Sequence, residues 1–284
     1  LPVASAARLA GYREVSGRLN LDATLGGTLG APHGRFALSG QQLRLALPRR
    51  PHLPSLALAL SGTWNGREVA LQGRATGLKG EAITLAGSAP LVIRAAPFGF
   101  SVPPGGRLAV RAEGAGELAN LADLLPLGED RLSGRYTLAV SLGGTPAAPA
   151  ASGALRIEGG RYESFATGAV LTRLRLVVVG ERDRLLLREF SAGDTAKGRI
   201  GARGNIVLTG GPMRAEIAAT LAGFRIAARD EAVAEASGTV AISGPLASPK
   251  IVARLTIDHG NFTIPDTLPP IVTRLAVVEI NSRA

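Results

Sequence analysis

The feature that most constrains this chain is that it repeats itself. Residues 133–163, SGRYTLAVSLGGTPAAPAASGALRIEGGRYE, and residues 16–45, SGRLNLDATLGGTLGAPHGRFALSGQQLRL, follow one plan, and 237–265, SGTVAISGPLASPKIVARLTIDHGNFTIP, is a shorter copy. Each copy opens Ser-Gly, runs an alternating apolar strand, turns through Gly towards Pro, and starts a second alternating strand. The interval is fifteen residues from Gly17 to Pro32 and from Gly134 to Pro149, and eleven from Gly238 to Pro249. Repetition on this scale belongs to quasi-linear structures in which each unit packs on its neighbours, not to a domain built round one catalytic cleft.

Period-two alternation runs through the whole sequence. Leu19, Leu21, Ala23 and Leu25 face one way while Arg18, Asn20, Asp22 and Thr24 face the other. The same pattern returns at Leu56/Leu58/Leu60, Val69/Leu71, Ile83/Leu85, Leu91/Ile93, Tyr136/Leu138/Val140/Leu142 and Leu174/Leu176/Val178, and continues to Phe262/Ile264. Strands of this type have one apolar and one wet face, as in antiparallel sheets. With 37 Gly and 18 Pro, turn signals arrive every eight to twelve residues, which reads as a meander of short strands. About twenty such strands at about 4.8 Å spacing would make a sheet on the order of 100 Å long. One segment breaks the rhythm: in 117–125, ELANLADLL, Leu118, Leu121 and Leu125 stand at helical spacing and Pro126 stops them. Residues 4–10 precede the first copy in the same way and read as the tail of an equivalent helix. The expected fold is all-β, an elongated, curved, mostly antiparallel sheet with one or two short helices. Its units are 1–115, 116–235 and the start of a third at 236–284.

Composition narrows the function. The formal net charge is +10, and Lys occurs only at Lys79, Lys197 and Lys250, so 29 of the 32 basic residues are Arg. Scattered Arg of this kind fits solvated strand positions of an Arg-rich proteome, or an anionic partner. Zero Cys excludes disulfides, thiol catalysis and Cys-ligated metal. No stretch approaches twenty consecutive apolar residues. The chain opens Leu-Pro-Val without Met, basic n-region or apolar h-region, and reads as a piece of a longer polypeptide whose signal or anchor lies elsewhere.

A search for chemistry finds none. His33, His52 and His259 are isolated from one another and from carboxylates at ligand spacing. Glu181-Arg182-Asp183-Arg184 is a charged hairpin tip of the usual solvated kind. Gly114-Ala-Gly116 before the expected helix lacks the third glycine of a phosphate-binding turn and is flanked by Glu113 and Glu117, which repel phosphate. No catalytic residue, metal site or cofactor is implied. Nucleic acid binding also lacks its signature, since Trp64 is the lone Trp and Tyr12, Tyr136 and Tyr162 are dispersed.

What remains is the apolar face. Aromatic residues make up only 4% of the chain against 46% hydrophobic, so the face is built of Leu, Val, Ile and Ala. It either folds onto itself as a dry sandwich or solenoid, or curls into an open trough lined by a ligand. In the second case acyl chains would lie against Leu19, Leu21, Leu45, Leu58, Leu138, Val140, Leu155, Ile157, Leu174, Leu176, Leu187, Ile206 and Leu208.

The order of several motifs resembles a known family. An L-P-L…L-S-G entry at Leu125–Gly134 leads to a G-G-T-P-A-A-P…G turn at Gly143–Gly153. G-R-Y-E follows at Gly160–Glu163, L-T-R-L-R-L at Leu171–Leu176, and G-R-I…G at Gly198–Gly204. This string is similar to the repeat unit of the TamB family, of the AsmA-like superfamily; residues 16–95 look like a more diverged copy and 237–280 like the start of a third. The resemblance implies a periplasmic protein held in the inner membrane by an N-terminal helix outside this sequence. It implies a long "β-taco" half-pipe with an apolar concave groove, movement of phospholipid between the membranes, and an outer-membrane barrel partner of the Omp85 type. It implies no catalytic residues. The family's C-terminal domain is not recognisable in the motifs, so the chain reads as the repeat region upstream of that domain. Three functions stay open: a lipid conduit, a chaperone that receives outer-membrane β-strands on an exposed edge or in the groove, and a rigid spacer with a closed core.

Overall fold

The computed structural model describes residues 15–28, 31–45, 56–77, 82–95, 98–119, 127–209 and 211–263. Sixteen strands are formed: β1 Val15–Thr28, β2 Ala31–Leu45, β3 Leu56–Trp64, β4 Glu68–Thr76, β5 Ile83–Pro90, β6 Val92–Ala95, β7 Phe98–Ser101 and β8 Ala109–Glu117. There follow β9 Arg131–Thr145, β10 Ala148–Glu163, β11 Val170–Arg182, β12 Arg184–Gly193, β13 Arg199–Val207, β14 Arg214–Arg229, β15 Ala232–Pro245 and β16 Lys250–Phe262. Fourteen of them make one antiparallel sheet in the order β1-β2-β3-β4-β5-β8-β9-β10-β11-β12-β13-β14-β15-β16. The order is a plain meander, and among the described residues β1 and β16 are its two edges and do not pair with each other, so the sheet is not closed into a barrel. Strands β6 and β7 pair only with each other.

The three sequence copies are three hairpins of this sheet, β1–β2, β9–β10 and β15–β16. Their turn glycines share one backbone conformation: φ is +92° at Gly27, +82° at Gly144 and +99° at Gly244. A side chain is strained there, which is why each copy keeps Gly at this position.

The strands are fewer and longer than the glycine spacing suggested, up to 16 residues in β10 and β14. Many glycines taken for turns sit inside strands. In β10 the chain passes through Gly153, opposite Gly180 of β11, and takes a bulge where the register shifts between Ile157 and Gly160, with Gly159 at φ +59°. A bulge absorbs one residue and lets the strand continue. At about 4.8 Å per strand the fourteen strands span about 60 Å, not 100 Å.

Leu118 and Ala119 are helical, at the start of the helix expected over 117–125; residues 120–126 and 4–10 lie outside the described residues. The Leu91/Ile93 alternation does mark a strand, β6, but one that leaves the main sheet. Trp64 fixes its start: the side chain is 8% exposed and its Nε1 donates to the Leu91 carbonyl at 2.9 Å.

Candidate functional site

Cross-strand pairing in an antiparallel sheet places paired side chains on the same face, so the register traces each face directly. One file runs Leu21–Leu38–Leu60–Gly73–Leu85–Ala112–Val140–Gly153–Gly180–Leu185–Ile206–Ala215–Gly244. A second runs from Leu19 through Gly40 and Leu58 to Ala75 and Ile83. Beyond Ile83 it continues Gly114–Leu138–Leu155–Val178–Leu187–Gly204–Ile217–Ile242–Ile251. A third contains Tyr136, Ile157, Leu176, Phe190, Ala202, Ala219 and Val240. Not one residue in these files is charged. The apolar face is therefore continuous from β1 to β16, and the alternate residues put the Arg and Glu on the other side.

Of the expected lining residues, Leu19, Leu21, Leu58, Leu138, Val140, Leu155, Ile157, Leu176, Leu187 and Ile206 all stand in these files. Leu174, opposite Gly160, belongs to the same face and is 6% exposed, against its own neighbours. Leu208 follows β13, its amide donating to the Asp183 carbonyl at 2.8 Å. Leu45 pairs with Val15 by its backbone. Sequence reasoning omitted Leu38, Val110, Phe190 and Phe224 from the lining, although the same alternation reaches them.

Most of this face is neither dry nor fully solvated. Leu138, Val140, Leu155, Leu176 and Leu187 are half-buried, Leu21 is 57% exposed, and no large side chain among the described residues is completely buried. A sandwich core of this length would bury its Leu and Ile outright. Here the face packs sideways within one layer, and no described element forms a second layer over it.

One rim is more tightly tied. The turn after β10, residues 164–169, reaches past β12 and β13 to the end of β14: the Ala228 amide donates to the Thr167 carbonyl at 2.9 Å, and Arg229 Nη1 donates to the carbonyls of Phe165 and Ala166. The sheet must curl for strands three places apart to meet. On the other flank of the turn, Asp130 accepts from the Tyr162 hydroxyl and from the Phe165 amide at 2.8 Å. These bonds hold the Asp130 carboxyl below its usual range, and the same carboxylate pushes the Tyr162 phenol up. Beneath lies Asp194, 2% exposed, whose Oδ1 accepts from the amides of Ala196 and Gly198 and whose Oδ2 accepts from the Arg225 amide at 3.0 Å. It closes the β12–β13 turn and ties it to β14. Tyr136, Leu174, Ala192, Leu221, Phe224 and Ala236 are buried at this rim, and burial raises the Tyr136 phenol. The Tyr136 hydroxyl has no hydrogen-bond partner among the described residues.

The polar face carries exposed pairs, Arg111–Glu113, Arg161–Glu163 and Arg188–Glu181, each worth at most about 1 kcal/mol. Arg225–Glu235, at 2.8 Å, is the more sheltered one. Among the described residues no group of three or more His, Asp or Glu is placed to hold a metal ion.

Residues 188–283 match the family model of the TamB C-terminal domain. No curated protein and no solved structure matches the chain. The match corrects the expectation that the chain ends upstream of that domain: the domain begins inside β12 and contains the third sequence copy. It went unrecognised because β12 to β16 repeat the alternation of the preceding strands, and no change of pattern marks its start. From Arg188 to Arg283, then, the chain is similar to the C-terminal domain of the TamB family.

Proposed function

We propose that this chain is a lipid conduit: a non-enzymatic segment of a periplasmic bridge whose apolar groove carries phospholipid acyl chains between inner and outer membranes. The TamB family serves the translocation and assembly module of outer-membrane biogenesis in the cell envelope, as a transport and assembly component without catalysis. The observation that carries the finer reading is the uncharged face running unbroken across fourteen strands, with no second layer on it among the described residues. A continuous aliphatic floor holds a chain by many equivalent contacts, about 0.8 kcal/mol per methylene, and has no single position at which the chain must stop. Headgroups remain at the rims in water. The units 1–115, 116–235 and 236–284 are then successive lengths of one track, with an outer-membrane barrel of the Omp85 type as its partner.

The test is native mass spectrometry with lipid extraction on the chain purified from a bacterial host. Phospholipid that co-purifies, and is lost from the folded Leu138→Asp/Leu176→Asp variant, is the expected result. A lipid-free chain refutes the conduit.

A second reading has its own observation. Among the described residues strand β16 is an edge of the sheet, with Ile251 63%, Ile257 52% and Phe262 69% exposed. An unpaired apolar edge accepts an incoming strand by β-augmentation. Crosslinks from this edge to nascent outer-membrane barrel peptides would favour a scaffold or chaperone role.

A further inference from the structure

We propose that the polar face of β11–β13 holds a binding site for a phosphate group, built from Arg173, Arg175 and Arg199. This site lies on the opposite side of the sheet from the apolar files and does not rest on the conduit reading. The three arginines line one cleft whose floor on this face is Gly193, Gly201 and Ala222. The register puts them together: Arg175 stands opposite Ser191, and Gly193, one step on from the same file, stands opposite Arg199.

Two features go beyond chance clustering. Arg173 is one of two non-glycine residues with positive φ among the described residues, at +51°. Such a conformation persists in an Arg only where the surroundings hold it, and it is concentrated at functional sites. Its effect here is to lay the side chain across β12. A Cβ added at Gly193 would come 2.5 Å from Arg173 Nη2, so the guanidinium rests on the bare backbone of Gly193, beside Arg199. A strained arginine and a glycine in the neighbouring strand thus cooperate to bring two cations together.

No ion pair among the described residues neutralises them, whereas Arg111, Arg161, Arg184, Arg188 and Arg225 each have one. The nearest buried carboxylate, Asp194, faces away and is occupied by three backbone amides. Glu189 lines the cleft but accepts from the Ser191 hydroxyl at 3.1 Å, which leaves the cleft with three positive charges against one negative. Guanidinium groups present planar, paired donors that match phosphate oxygens. The apolar floor admits an ester carbon behind the phosphate, so the ligand is a phosphate ester on a lipid headgroup or a free phosphorylated solute.

The experiment compares three probes at physiological salt: vesicles of phosphatidylglycerol in phosphatidylcholine, vesicles of phosphatidylcholine alone, and inorganic phosphate by titration calorimetry. Four variants are used. Arg173→Asn keeps a side chain that tolerates positive φ, Arg199→Gln removes the second charge, and Arg214→Gln removes an exposed charge at the far end of β14. Gly193→Ala changes no charge and displaces only the tip of the Arg173 side chain. Arg173→Asn and Arg199→Gln are expected to weaken binding by about tenfold each, and Gly193→Ala by several-fold, with Arg214→Gln within about twofold. Binding of inorganic phosphate identifies a free phosphorylated solute; binding of phosphatidylglycerol vesicles alone identifies a headgroup. Absence of binding to every probe, an unaffected Gly193→Ala, or an equal loss in Arg214→Gln overturns the site, the last by showing that bulk charge alone attracts the anion.

Discussion

Replacing Leu138 and Leu176 together by Asp tests the conduit where the structure makes the strongest demand. The two residues lie on β9 and β11, two strands and so about 10 Å apart, and between them Leu155 and Ile157 of β10 complete the floor. An acyl chain crossing here touches both leucines. If about four methylenes lose their apolar contact at about 0.8 kcal/mol each, retention weakens by about 3 kcal/mol, roughly a hundredfold. Desolvating two carboxylates against hydrocarbon adds to that. The folded chain should survive, because both leucines are half-buried and the carboxylates can be hydrated from the open side. The cost in stability is about 1 kcal/mol per site, half the value of full burial.

The control moves one residue along each strand. Thr137→Asp and Val177→Asp put the same charges on the other face, since a shift of one reverses the side of the sheet. Lipid carried through purification, and lipid transferred between donor and acceptor vesicles, should both fall to background in the Leu138/Leu176 variant and stay within about twofold in the Thr137/Val177 control. Normal transfer by the first variant with a native β-sheet circular dichroism spectrum would refute the reasoning. So would equal loss in both variants, which would locate the effect in charge and not in the face.

Other perturbations address the parts that hold the face in place. Asp194→Ala removes the acceptor of three backbone amides at the β12–β13 turn; unfolding in urea should show a loss of about 3 kcal/mol, and Asp194→Asn should lose less. Gly153 lies at φ +91° with the Ala139 carbonyl where a Cβ would go, so Gly153→Ala should destabilise by about 2–4 kcal/mol in the same assay, through strain and not through lost contacts. Asp130 has its folded pKa held down by the Tyr162 hydroxyl first and the Phe165 amide second. A depressed carboxylate contributes stability that is present above its unfolded pKa, about 3.9, and is lost as pH falls through the lower folded value. Protection of the 164–169 amides against hydrogen exchange, measured relative to their intrinsic rates, should therefore fall below about pH 4, and Asp130→Asn should show that lower protection already at neutral pH.

The sequence made the face legible and left the strand count obscure, for one physical reason. Alternation depends only on the pleat, so Leu19, Leu138 and Leu176 could be assigned to one side without knowing their neighbours. Glycine is ambiguous by comparison. At Gly144 it makes a turn, at Gly159 a bulge, and at Gly153 a positive-φ point within a continuing strand; only the partner strand distinguishes them. The tie between 164–169 and Ala228–Arg229 was equally hidden, because one amide and one Arg side chain donate to backbone carbonyls more than sixty residues away, and carbonyl acceptors carry no sequence signature. Trp64 was visible as a lone aromatic, but its role depends on the Leu91 carbonyl, 27 residues away. The basic cleft was overlooked because Arg173, Arg175 and Arg199 are scattered in sequence and converge through the β11–β12–β13 register.

The same glycines argue against a dry core. Along the file from Leu21 to Gly244, bulky residues are interrupted by Gly73, Ala112, Gly153, Gly180 and Ala215, and along the next file by Gly40, Ala75, Gly114 and Gly204. A second protein layer would have to fill these gaps side chain by side chain to reach native packing density, with large residues aimed at small ones. No described strand supplies such a layer, and the 4% of aromatic residues leaves few side chains large enough to do so. A flexible chain fills the gaps without matching any of them, because each methylene can settle where space allows. Shallow, irregular spacing that would leave cavities under a rigid partner costs a fluid one almost nothing. The feature that makes the face a poor core is thus what would suit it to the mobile acyl chain of the proposed conduit.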